Sequence, residues 1–231
     1  RHRCIVWGVQ PQYVIDMLNW MVHCWGVVPL TDMLSMVISK EIAEEDTPEN
    51  RAMLAELFQM EQYVTMALSY ARLGNPTKDL VLTRVPLDPV IRQAIRDFAP
   101  LLIRKKLRLQ YEPTTESALT DSKWLLFILH QLLSNAVKYT ERGRVSIRVT
   151  SAPAIIVADT GIGIAPEDVP RVFEKGYTGY NGRGGQKSTG LGLYLVHQTA
   201  EMLHCRVSLS SRIGEGTSVT IDLHQEELGK E

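Results

Sequence analysis

The sequence predicts an α+β protein. A helical hairpin occupies residues 1–74, and an α/β sandwich with a mixed sheet and helices on one face occupies residues 77–226. Three observations carry this. The first 40 residues hold only five Lys, Arg, Asp or Glu (Arg1, Arg3, Asp16, Asp32 and Lys40), so a helix drawn from them is buried on more than one side. Further on, Met53, Leu57, Met60, Val64, Ala67 and Ala71 recur at alternating steps of four and three, the heptad seam of a helix packed lengthwise on others. Beyond Pro76 the apolar period changes repeatedly, and several strand connections are too short for parallel crossovers.

Within the hairpin, the polar break Glu41 to Glu49 separates two helices. Thr47 suits the N-cap of the second helix and Pro48 its first position. Gly74-Asn75-Pro76 stops it. Two helices cannot enclose a core alone, whereas two hairpins from two chains make a four-helix bundle, so a homodimer is expected; the plain alternative is a hairpin packed on the rest of its own chain.

In the second region, Leu80 to Val85 alternates like a strand. Asp88 to Ile103 reads as an amphipathic helix with Val90, Ile91, Ala94, Ile95 and Phe98 inward. Leu107 to Tyr111 is a strand. Asp121 or Ser122 caps a helix running through Tyr139. Arg144 to Val149 and Ala154 to Ala158 are strands able to form a hairpin. Residues 165–189 read as a long loop, Leu191 to Leu203 as a helix, and Val207 to Ser211 and Ser218 to Leu223 as strands.

Composition narrows the function classes. Apolar residues make up 45% and charged residues 22%, with a formal net charge of −1, which gives no basic surplus for nucleic acid. Cys4, Cys24 and Cys205 are scattered and form no C-x-x-C pair, as expected in a reducing compartment without a zinc site. The most apolar stretch, Tyr13 to Ile38, is interrupted by Asp16, Asn19, His23, Pro29 and Asp32, so it falls short of a membrane span. The expected location is cytoplasmic, with membrane attachment only through a segment outside this sequence.

Four motifs carry chemistry. In His130 to Tyr139, apolar Leu125, Ile128, Leu132 and Ala136 hold one helix face, while Gln131, Asn135, Lys138 and Tyr139 fall on or beside another. The Asn135 oxygen is a hard ligand for Mg2+, Lys138 a point charge for phosphate, and Tyr139 a cover for a flat ring. In Ala158-Asp-Thr-Gly-Ile-Gly-Ile164, a strand ends on Asp159, and Gly161 and Gly163 let the backbone approach a ligand. Seven glycines lie between Gly176 and Gly192. This loop leads through Lys187, Ser188, Thr189, Gly190, Leu191 and Gly192 into a helix whose N-terminal amides can cradle phosphate. Gly214 to Thr217 is a β-turn between two strands. Taken singly, each motif also has a plain structural reading: a wet helix face, a strand-to-loop turn, a surface loop and a hairpin.

Taken in order, the motifs resemble the sensor histidine kinases, whose ATP domain is shared with gyrase, mismatch-repair and heat-shock chaperone ATPases. Asn135, Lys138 and Tyr139 resemble the N box, and Asp159 to Gly163 the G1 box. Val172-Phe173-Glu174-Lys175 resembles the F box, Thr189 to Leu193 the G2 box, and Gly214 to Thr217 the last glycine box. The resemblance covers residues from about 77 to 226. It implies a site for ATP and Mg2+, with Asn135 on the metal and Asp159 on adenine. Hydrolases of the superfamily place a Glu four residues before the Asn to activate water. Here that residue is Gln131, and an amide cannot take a proton at neutral pH.

The resemblance further implies that the hairpin carries a phospho-accepting histidine and that the phosphoryl group passes to the receiver domain of a response regulator. His23 is the histidine near the expected place. Pro29 lies six residues beyond it rather than five as in the family's pattern, so aligning on the proline puts Cys24 in that register, and the two readings stand side by side. An active kinase is one functional expectation. An ATP-binding dimeric scaffold with an altered acceptor helix is the other. Gln131 and the hairpin count against a third, a freestanding ATPase or a serine kinase.

Overall fold

The computed structural model describes residues 80–179 and 190–224. The hairpin expected over residues 1–74 lies outside them, as do His23, Cys24, Lys187, Ser188 and Thr189.

Seven strands and three α-helices follow one another in the described residues: β1 (Thr83–Pro86), α1 (Leu87–Arg104), β2 (Arg108–Tyr111), β3 (Ser117–Thr120), α2 (Ser122–Tyr139), β4 (Arg144–Val149), β5 (Ala154–Asp159), α3 (Gly192–Met202), β6 (Arg206–Arg212) and β7 (Gly216–Asp222). A single 3-10 turn, Val169–Arg171, lies between β5 and α3. The main sheet has the order β2-β4-β5-β7-β6. Only β2 and β4 pair in parallel, with α2 in the connection between them; the other neighbours are antiparallel. This is the mixed sheet expected from the short connections.

The main sheet buries one face. Val145, Ile147, Ile155, Val157, Val219 and Ile221 pack inward. Their core also takes Ile91 and Phe98 from α1, Leu125, Ile128 and Leu129 from α2, and Leu195 from α3. Each such side chain contributes ~1.5–3 kcal/mol when fully buried. The alternate positions on the same strands, such as Ser146, Arg148, Ser208, Ser218 and Thr220, are less buried, as expected of an antiparallel sheet with one wet face.

Several boundaries shift by one to three residues, and one strand is new. The first strand begins at Thr83 rather than Leu80, because the Val81 amide donates to Asp121 Oδ2 at 3.0 Å instead of joining a ladder. The unanticipated β3 pairs with β1 in a separate two-stranded sheet. On α1, Val90 and Ile95 are half-buried, while Leu87 and Leu102 join the core.

Helix α2 positions the site and is held at both ends. At its start, Asp121 Oδ1 accepts from the Lys123 amide at 2.9 Å and the Trp124 amide at 3.4 Å, a side-chain N-cap that contributes about 1 kcal/mol. At its end, Lys105 donates to the carbonyls of Val137 (2.6 Å), Lys138 (3.2 Å) and Thr140 (3.3 Å). A cation at a helix C-terminus satisfies open carbonyls and complements the helix dipole. Burial pushes the Lys105 ammonium below its ordinary pKa.

Candidate functional site

A cleft of about 140 Å3 opens between α2, the start of α3, and the ends of β5 and β7. Its floor follows from strand register. Val157, Val219 and Leu209 are successive partners on β5, β7 and β6, and all three line the cleft. The next inward-facing row is polar: Asp159, Thr217 and Ser211 are partners on the same strands. The cleft therefore offers a flat aliphatic surface ending in a polar edge. That combination suits a planar ring with hydrogen-bonding groups on one side.

Asp159 is the charged group at that edge. Its Oδ1 accepts from the Gly161 amide at 2.8 Å and the Thr140 hydroxyl at 3.5 Å. Burial pushes the Asp159 carboxyl above its ordinary pKa, and the Gly161 and Thr217 amides and the Thr140 hydroxyl pull it part of the way back. A carboxylate held this way accepts hydrogen bonds from whatever enters, and an entering group without a donor leaves it costly and unpaired.

Backbone approach is tight around Asp159. Gly163 has φ +71°, and a Cβ there would overlap the Arg212 carbonyl. Gly216 has φ +115°, and a Cβ there would overlap the Asp159 carbonyl. The two loops are also tied directly. The Gly214 amide donates to the Ile162 carbonyl at 2.9 Å, and the Ile164 amide donates to Ser211 Oγ at 2.9 Å. The turn between β6 and β7 thus braces the loop after β5.

At the other side of the cleft, Asn135 from α2 faces the start of α3. A Cβ on Gly192 would lie 3.2 Å from Gln131 Oε1 and 3.9 Å from Asn135 Nδ2. Gln131 is buried and Asn135 half-buried. Asn135 and the start of α3 border the same part of the cleft, and open amides at a helix N-terminus suit an anion. Among the described residues, no group of three His, Cys, Asp or Glu could hold a metal. The donor set at Asn135 is one amide oxygen, which fits Mg2+ bound mainly through substrate phosphates and water.

Of the residues singled out in the sequence, Asn135, Tyr139, Asp159, Gly163, Gly190, Gly192 and Thr217 line the cleft together. Gly161 stands behind Asp159 as a donor. Lys138, Phe173, Lys175 and Leu191 are not in the cleft wall. Lys138 Nζ lies 5.4 Å from the centroid of the Tyr139 ring, and the Phe173 ring lies 5.5 Å from that of His197 on α3. Sequence reading missed Thr140, Lys105 and Ser211. Thr140 and Lys105 carry no motif signal. Ser211 could have been found from register, since a tight turn at Gly214 sets it opposite Thr217.

Residues 120–227 match the family described as histidine kinase-, DNA gyrase B-, and HSP90-like ATPases. The chain is 35% identical over 214 residues to the sensor protein BceS of Halalkalibacterium halodurans, covering 91% of this chain and 62% of that protein. It is 34% identical over 189 residues to the sensor histidine kinase YxdK of Bacillus subtilis, covering 79% and 58% respectively. The chain thus spans less than two thirds of the length of either relative. Among solved structures, full-length ShkA in complex with AMPPNP shares the fold with a TM-score of 0.59 and 24% identity, over 92% of this chain and 45% of that one. Residues 120–227 thus belong to the histidine kinase-, DNA gyrase B- and HSP90-like ATPases, and over most of its length the chain is similar to sensor histidine kinases.

Proposed function

We propose that this chain is an ATP-dependent protein histidine kinase that phosphorylates itself and passes the phosphoryl group to the receiver domain of a response regulator. The observation that carries the reading is the half-buried Asp159 carboxylate at the polar edge of a flat aliphatic cleft, with Asn135 and the start of α3 at the opposite side. Adenine lies on the floor of Val157, Leu209 and Val219, with its amino group toward Asp159. The triphosphate runs toward Asn135 and the amides at the start of α3. Asn135 would hold Mg2+ by its side-chain oxygen, which would supply charge neutralisation for the phosphates. Lys187, Ser188 and Thr189 add phosphate contacts from the glycine-dense loop.

His23 is the proposed acceptor. A neutral ring nitrogen attacks the γ-phosphorus, the bond to the bridging oxygen breaks, and ADP leaves. Gln131, one turn before Asn135, cannot take a proton from water, so transfer to the protein is favoured over hydrolysis. The chain acts as a homodimer through the hairpin and works in the cytoplasm.

The test is incubation of the full chain with radiolabelled ATP and Mg2+. Label that survives alkali and is lost in acid is expected, and both His23→Ala and Asn135→Ala should lack it. ATP binding with no label would overturn the kinase reading and leave an ATP-binding dimeric scaffold.

A further inference from the structure

Ser211 fixes which way the Thr217 hydroxyl points. Ser211 Oγ has three polar neighbours: the Ile164 amide at 2.9 Å, the Gly216 carbonyl at 2.8 Å and Thr217 Oγ1 at 2.9 Å. An amide can only donate and a carbonyl can only accept, and a serine hydroxyl has one proton. The Ser211 proton therefore goes to the Gly216 carbonyl. Ser211 then has none for Thr217, so Thr217 must donate to Ser211. The Thr217 proton is committed away from the cleft, and Thr217 Oγ1 offers only lone pairs to a ligand.

Thr217 is the register partner of Asp159, and both line the cleft. Asp159, as a carboxylate, is also acceptor-only. We infer that Ser211 is a specificity-determining positioning residue: by holding Thr217 as a donor to itself, it makes the polar edge of the cleft acceptor-only and so favours a ring bearing an amino group over one bearing a carbonyl at that edge. The inference rests on the proposed binding of ATP at this site.

A ring with a carbonyl at this edge places an acceptor against two acceptors. Replacing Ser211 with alanine frees the Thr217 hydroxyl to rotate and donate to that carbonyl. One neutral hydrogen bond corresponds to a change of about fivefold in relative affinity. Asp159 continues to oppose the carbonyl, so the preference shrinks without vanishing.

The experiment compares equilibrium affinities of the full chain for ATP and inosine triphosphate, which carries a carbonyl in place of the 6-amino group. For Ser211→Ala, the ratio of the two dissociation constants is expected to fall by about fivefold. Ser211→Thr, which keeps the hydroxyl, is expected to restore it. A purely structural role would weaken both nucleotides equally and leave the ratio unchanged, and that result overturns the inference. Should Ser211→Ala fail to fold, Thr217→Val reports instead. It removes the fixed lone pairs, so the ratio is expected to fall, and an unchanged ratio overturns the inference. Failure of the unaltered chain to bind ATP overturns the proposed function itself. ATP binding with an unmoved ratio overturns only the role of Ser211.

Discussion

Asp159→Asn separates the binding role of this residue from any role in holding the fold. The substitution keeps the shape of the side chain and one oxygen, which continues to accept from the Gly161 amide now at 2.8 Å from Oδ1. It replaces the other oxygen with a donor. Toward an amino group this turns an attractive contact into a donor facing a donor. A hydrogen bond to a charged acceptor contributes ~1.5–3 kcal/mol, so the ATP dissociation constant should rise roughly 10- to 150-fold. Stability without nucleotide should behave differently. Burial raises the Asp159 pKa, so the folded state carries a penalty above the folded pKa that disappears as pH falls through it. The neutral amide has no such penalty. The melting temperature of the unligated variant at neutral pH should therefore stay within about 4 °C of the parent. Calorimetric titration supplies the affinities, and thermal melts supply a second reading. ATP at about 100 times the parent dissociation constant should stabilise the parent by ~2.7 kcal/mol, but a variant weakened roughly 50-fold by only ~0.6 kcal/mol. An ATP affinity within about threefold of the parent, in a folded variant, would refute the assignment of Asp159 to the ligand.

Three further predictions concern the scaffold. Gly163→Ala forces a side chain into the left-handed region and against the Arg212 carbonyl; urea unfolding should show a loss of at least ~2 kcal/mol. Lys105→Met removes three bonds to the carbonyls that end α2. Denaturant midpoints should fall by an amount equivalent to ~1–3 kcal/mol, and ATP affinity should fall with them because Tyr139 and Thr140 lie in that segment. His130 sits in α2 with Nε2 2.9 Å from Asp97 Oδ2, and burial lowers its pKa below 6.5 although Asp97 opposes this. The unfolded chain then binds the proton more readily, so stability should decline as pH falls from 6.5 through the folded pKa, and His130→Gln should flatten that slope in pH-dependent melts.

The parts of the site that were legible in the sequence are those set by local backbone need. Asp159, Gly161 and Gly163 fall within five residues, and Asn135 with Tyr139 falls within one helix turn of itself, so spacing alone groups them. The Asp121 cap was legible for the same reason, since its partners are Lys123 and Trp124. What spacing could not reach depends on distant partners. Lys105 acts on carbonyls more than 30 residues away, β3 exists only because β1 lies beside it, and the start of β1 is set by Asp121, 40 residues from Val81. Gln131 was read as part of a polar face, whereas it is buried against the start of α3. A helix that packs on two neighbours has no simple wet side.

The strand order β2-β4-β5-β7-β6 puts β7, the last of the described strands, between β5 and β6. During synthesis β5 waits with one edge open, and β6 has no place in the sheet until β7 inserts between them. Thr217 and Val219 arrive with β7, after the turn that braces the loop following β5. The cleft is consequently complete only once β7 has paired between β5 and β6. A nascent chain stalled before Gly216 has Asn135 and Asp159 already made, yet lacks Thr217, Val219 and the β7 ladder that seats Leu209 beside Val157. Bound nucleotide can thus serve as a report that the domain has been completed.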